Sequence, residues 1–274
     1  MNPVHKTDLI KNYGAVYMIL TFLIENSKIF AGCAEAESNR IIFEDTLSAD
    51  LRKTPAEYAI ILKELLELHG INRQKIRGGI ISSCVPQLSE TIRSAATSLF
   101  HKEFLEVGPG MKTGVNIRID DPGELGADLL VAAAAGIKEY GAPLVIINLG
   151  TATTISVIDK DRSFRGGLIA PGIRLSLESL SSHTAFLPEV AVRKPGKLIG
   201  TTSEESMQSG VITGSAAMID GLVDRIREEM EQEVELVATG EYAGLVVPGC
   251  RHMIQMDVHL MMKGLMLLYH RNKR

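Results

Sequence analysis

The sequence predicts two related α/β lobes, and three observations carry that expectation. Apolar strand pairs are followed by helices, and this order is met twice along the chain. Each half opens with a strand–turn–strand unit, at 19–33 in the first and 145–158 in the second. A length of 274 residues suits two cores of ordinary size.

In the first half, the apolar run 16–24 reads as a strand, 25–28 as a turn and 29–33 as the returning strand. A further strand is expected at 40–43. Thr54-Pro55-Ala56-Glu57 opens a helix: Thr54 caps it, Pro55 suits the first helical position and Glu57 closes a capping box. Ala59, Ile60, Leu62, Leu65, Leu66 and Leu68 keep a helical period, and Gly70 ends it. A strand at 80–83, a helix at 88–100 and a short strand at 104–107 follow. A loop at 108–110 and a turn at 120–122 lead into an Ala-rich helix over 129–140, whose small side chains favour close packing between the lobes. The expected division is an N-terminal extension at 1–17, a first lobe at 18–140 and a second at 141–274. The C-terminal helix, about 257–272, is expected to pack back on the first lobe.

The second half opens on the stretch 145–159, read as strand, tight turn, strand. Gly150 permits a turn that other residues would strain. There the Gly150 N–H and the hydroxyls of Thr151, Thr153 and Thr154 can converge on a phosphate. A hairpin with a polar turn and no ligand fits the same string. A strand at 164–171 and a helix at 173–180 come next. Thr201 to Glu205 can cap a long helix over 206–231, on which Gly210, Gly214, Ser215, Ala216 and Ala217 mark a face for close contact. A strand at 235–238 runs into Thr239-Gly240. The closing helix, 260–269, ends in basic residues that suit a helix C-terminus.

A net charge of −4 and the absence of Trp argue against nucleic acid and anionic membranes as partners. The three cysteines, Cys33, Cys84 and Cys250, have neither metal-site nor redox spacing, as expected of free thiols in a reducing cytoplasm. Lys6 and Lys11 precede the apolar run in the manner of a leader, but Glu25, Asn26 and Lys28 interrupt it, so a buried strand is expected there. No run reaches the length of a membrane span.

Several stretches taken together carry a resemblance: Gly108-Pro-Gly-Met-Lys-Thr-Gly114, Gly126-Ala-Asp128, Asn148-Leu-Gly-Thr-Ala-Thr-Thr154, Ile169-Ala-Pro-Gly-Ile173, Glu205-Ser-Met-Gln-Ser-Gly210 and Ala238-Thr-Gly240. In their order and spacing, over about 18–272, they resemble the type III pantothenate kinases of the acetate and sugar kinase/Hsp70/actin superfamily. The resemblance implies two ribonuclease H-like lobes with a ligand cleft between them. It implies phosphorylation of pantothenate by ATP, the first step of coenzyme A synthesis, with Mg²⁺ and a monovalent cation (K⁺ or NH₄⁺). It also implies a dimer whose pantothenate site lies near the subunit interface.

Residue by residue, the resemblance puts the base at Asp128, a carboxylate at a helix start where the dipole favours an anion; a helix cap is the other reading of that residue. It puts substrate contacts at Gly126, Ala127, Leu129, Ile119 and Ser203. Nucleotide contacts fall at Asn26, Ser27, Lys28, Gly150, Thr151, Thr153 and Gly240, and a metal contact at Asn148. The departures cluster on these positions. Leu23 and Asn148 stand where the family has cation-binding Asp, and Glu25 stands where it has a phosphate-loop Gly. Leu129 replaces Arg, Ile119 replaces Tyr, Ser156 replaces Asp and Glu241 replaces Gly. Such losses imply impaired or absent catalysis in a dimer subunit or regulator, homotypic or paired with an active paralogue. The alternatives are an active kinase with a metal site rebuilt from Asp128, Glu25 and Asn148, and an interaction protein without a ligand.

Overall fold

Strand β1 (Met18–Ile24) is buried on both faces, which is why its string is apolar throughout except at Thr21 instead of alternating. The computed structural model describes residues 16–273, so the expected extension lies outside the described residues except for its last two. The chain divides into two units, Met1–Gly108 and Pro109–Arg274.

In the first unit, β1 pairs antiparallel with β2 (Lys28–Glu35), and β2 with β3 (Ile41–Ser48). The helix α1 (Pro55–Leu68), the strand β4 (Ile76–Ser83), the helix α2 (Pro86–Phe100) and the strand β5 (Phe104–Glu106) complete it. Both β4 and β5 run parallel to their neighbours, giving the order β3-β2-β1-β4-β5. The capping box forms as expected: the Thr54 N–H donates to Glu57 Oε2 at 2.7 Å, and the Glu57 N–H donates to Thr54 Oγ1 at 3.4 Å. Leu20, Phe22 and Ile24 pack with Tyr58, Leu62 and Leu66 of α1 and with Leu88 and Ile92 of α2. Strand alternation sends Thr21 and Leu23 to the opposite face.

The second unit runs β6 (Asn116–Ile117), α3 (Ala127–Tyr140), β7 (Leu144–Leu149), β8 (Ala152–Ile158), β9 (Ser163–Pro171), α4 (Ile173–Ser182), α5 (Ser203–Met230), β10 (Glu235–Thr239), α6 (Ala243–Val246), β11 (Gln255–Met256) and α7 (Leu260–Asn272). Its sheet has the order β11-β10-β7-β8-β9-β6. Without the added β6, this is the third-second-first-fourth-fifth order of the first unit, with the same antiparallel meander and parallel fourth and fifth strands. One face packs Val145, Ile147 and Leu149 against Ile212, Ala216, Ile219 and Val223 of α5.

The other face meets α3. A Cβ on Gly136 would stand 2.6 Å from Ile146 and 2.7 Å from Leu144, so the helix lies directly on the strand. Gly264 of α7 likewise abuts the Val131 carbonyl of α3. The unit boundary therefore falls at Gly108/Pro109 and not near 140. The Ala-rich helix packs on β7 and α7, and the C-terminal helix packs on α3, all inside the second unit. The expected boundary at Gly141-Ala142-Pro143 marks only the connection from α3 to β7. Among the described residues, no helix is long and apolar enough to cross a membrane.

Candidate functional site

The β7–β8 hairpin differs in one respect from the phosphate cradle expected of it. The Gly150 N–H donates to the Ala152 carbonyl at 3.2 Å, inside the loop. Thr153 and Thr154 belong to β8, where successive side chains point to opposite faces. Thr153 lies opposite Leu149 on the α5 side, and Thr154 lies opposite Asn148 on the α3 side. Only Thr151 stays exposed at the tip. The four groups thus do not converge, because two of the threonines extend a strand and do not line the turn.

A different grouping forms on the α3 side. Thr239, Asn148 and Thr154 sit in register on the adjacent strands β10, β7 and β8. The Thr239 and Thr154 hydroxyl oxygens are buried and meet no hydrogen-bond partner among the described residues. Gly240, at φ +96°, closes on this row: a Cβ there would stand 2.5 Å from Asn148 Oδ1 and 2.7 Å from the Leu149 backbone. Gly172 presses on the same loop, its Cβ position 2.5 Å from the Gly150 carbonyl. The Tyr242 N–H donates to the Leu149 carbonyl at 3.0 Å, and Arg174 Nε donates to the Tyr242 hydroxyl at 3.2 Å. Asn148, Gly150 and Gly240 thus gather at the end of β7, with Thr151 exposed beside them at the tip. Thr239, Gly172, Arg174 and Tyr242 adjoin the same hairpin. Thr239 and Gly172 lie within the stretches singled out in the sequence, whereas Arg174 and Tyr242 carried no signal there.

Asp128 lies in the first turn of α3, two residues after the N-cap, Gly126, so the cap reading of Asp128 is not met. A Cβ on Gly126 would stand 2.6 Å from Asp128 Oδ1 and 3.8 Å from Leu129 Cγ. Gly126, Asp128 and Leu129 therefore form one cluster, with Ala127 as the first residue of the helix. That helix covers the sheet face bearing Asn148 and Ser156. Ile119 approaches Gly166, at φ +126°, with its Cγ2 4.0 Å from the missing Cβ.

Ser203 opens α5 elsewhere, lining a cavity of about 430 Å³ with Leu180, Leu187, Met207 and Gly210. Asp128, Asn148 and Gly150 are not among its lining residues. The cap before it is well made. The Glu205 N–H donates to Thr202 Oγ1 at 3.1 Å, and Glu205 Oε2 accepts the Thr201 N–H at 2.8 Å. With Lys197 also beside it, the Glu205 carboxyl is held down to about 2.

In the first unit, Asn26 and Ser27 are exposed on the β1–β2 turn and Lys28 begins β2. The Glu25 N–H closes that turn on the Lys28 carbonyl at 2.8 Å. Leu23 is buried beside Ser82.

Taken each by itself, the positions the resemblance assigns to magnesium offer no anionic donor, whereas hard divalent cations select carboxylate oxygens. Leu23 offers no oxygen, and Asn148 offers a neutral amide between two hydroxyls. Among the described residues, no three of His, Cys, Asp and Glu are grouped to hold a metal.

Two units of the same strand order give the chain a fold of the acetate and sugar kinase/Hsp70/actin type. A Baf family transcriptional activator from Campylobacter jejuni shares the fold with a TM-score of 0.55 at 19% identity, over 93% of this chain and 98% of that one. The ethanolamine utilization protein EutJ from Carboxydothermus hydrogenoformans gives 0.50 at 13% identity, over 93% and 90%. The type III pantothenate kinase of Bacillus cytotoxicus is 37% identical over 253 residues, covering 92% of this chain and 97% of that one. The family pattern for type III pantothenate kinase matches residues 19–225. The chain belongs to the type III pantothenate kinase family.

Proposed function

We propose that this chain is a type III pantothenate kinase-family subunit of coenzyme A biosynthesis that performs little or no phosphoryl transfer by itself. It binds pantothenate or a close relative, and it works in the cytoplasm as a homodimer or beside an active paralogue. The observation that carries this reading is the chemistry of three positions: a buried leucine at 23, a glutamate at 25 on the β1–β2 turn and an amide at 148.

Phosphoryl transfer needs a phosphate cradle, a neutralising cation and a base to orient the attacking hydroxyl. Asp128 retains the base. Glu25 opposes a polyphosphate by charge, and neither Leu23 nor Asn148 supplies an anionic ligand for Mg²⁺. Losing one electrostatic partner in such a site costs roughly 2.7–4 kcal/mol of transition-state stabilisation, and several losses compound without adding strictly. ATP, Mg²⁺ and a monovalent cation therefore belong to an active partner in this reading.

Calorimetry with pantothenate and with Mg–ATP, each titrated separately into the purified chain, tests the reading. Pantothenate binding without nucleotide binding is the expected result. Binding of Mg–ATP with micromolar affinity favours the second reading, an active kinase with a rebuilt metal site, for which the retained Asp128 beside Gly126 speaks. Binding of neither ligand leaves an interaction protein.

A further inference from the structure

Two glycines in the second unit give way to a side-chain oxygen, and they do so for different reasons. At Gly240 the backbone itself demands glycine: φ is +96°, and the Leu149 backbone lies 2.7 Å from the Cβ position. At Gly126 it does not. Its φ of −55° and ψ of 138° are open to any residue. The nearest obstacle to a Cβ is Asp128 Oδ1 at 2.6 Å, the end of a short rotatable side chain. The next atoms, Asp128 Cγ at 3.7 Å and Leu129 Cγ at 3.8 Å, are at ordinary contact.

We infer that Gly126 is a positioning residue for Asp128, leaving its Cβ volume to the carboxylate and so holding Oδ1 folded back over the N-terminus of α3. Two further facts fit this role. No side chain caps α3 at Gly126, so the carboxylate is the acidic group of that first turn. The Leu130 N–H still reaches the Gly126 carbonyl at 3.1 Å, so the helix start is formed through the backbone alone. A methyl group at 126 leaves that backbone undisturbed and turns the carboxylate aside. The functional consequence rests on the reading that Asp128 faces the ligand; the placement of the carboxylate does not.

The test uses Gly126→Ala in the full chain, with Asp128→Asn as its companion. Thermal unfolding is expected to show at most a small change in Tm, since the native φ admits alanine and its restriction of the unfolded chain offsets the poorer N-cap. Carboxyl ¹³C NMR, with the Asp128 signal identified by its loss in Asp128→Asn, is expected to show that signal displaced and the other carboxylates unmoved. Pantothenate titrations are expected to weaken by about tenfold or more in Gly126→Ala, through displacement of a contacting group. The double variant is expected to bind no more weakly than Asp128→Asn. An unmoved Asp128 signal in folded Gly126→Ala overturns the inference, and so does a large fall in Tm, which would assign the glycine to the fold. If the parent binds no pantothenate, the proposed function fails and the carboxyl signal still decides the role of Gly126.

Discussion

Leu23 stands beside Ser82 in the parallel β1–β4 ladder, and the fully buried Ser82 hydroxyl meets no hydrogen-bond partner among the described residues. An aspartate at 23 would set an acceptor next to that hydroxyl. Here an aliphatic side chain fills the space.

Leu23→Asp is therefore expected to destabilise the first unit by about 2–5 kcal/mol, the range for losing a buried leucine. Burial raises the folded-state pKa of the new carboxyl above its unfolded value. The protonated native form is then favoured at low pH, and the penalty grows as pH rises through the carboxylate range. Urea unfolding at pH 5 and pH 8 checks both the size and the direction, with the larger loss expected at pH 8.

The unpartnered Thr239 hydroxyl makes the opposite prediction. Thr239→Val keeps the shape and removes a buried polar group without a partner, so it is expected to stabilise the ligand-free chain by about 1 kcal/mol. The same change is expected to weaken any ligand that reaches Asn148. Urea midpoints and ligand titrations on one preparation measure both effects. A loss of stability would mean that the hydroxyl already has a structural partner.

Gly240→Ala is expected to cost about 2 kcal/mol or more, because alanine must adopt φ +96° and its Cβ must enter the contact with Asn148 and Leu149. Denaturant unfolding measures the cost. Paired with Gly126→Ala, it separates a glycine required by the backbone from one required by a carboxylate.

The cap of α5 predicts a pH dependence. Thr201 and Lys197 hold the Glu205 carboxyl down to about 2. A depressed folded pKa contributes stability that is fully present above the unfolded carboxylate pKa and is lost as pH falls from there through the folded value. Parent and Glu205→Gln are thus expected to differ in Tm at pH 7 and to converge near pH 2. Solvent exposure keeps the difference small.

Much of the fold was legible because local chemistry agreed with the final packing. The Thr54–Glu57 box, the apolar period of α1 and both opening hairpins are short-range signals, and tertiary contacts only reinforce them. The unit boundary was not legible. It depends on the two-residue β6 joining β9 and on Gly136 and Gly264 seating α3 between β7 and α7. A strand of two residues has no periodicity to read, and a glycine contact shows only when its partner is placed. In the site, the residue types were legible and their directions were not. The threonine cluster read as a cradle, yet β8 alternation splits Thr153 from Thr154, and register instead unites Thr154 with Thr239 across Asn148.

The measurement that bears most directly on the central claim is ADP release by the purified chain supplied with ATP, Mg²⁺, K⁺ and pantothenate. No turnover above background is expected from this chain alone. Turnover at an ordinary enzyme rate, about 1–10 s⁻¹, would contradict it.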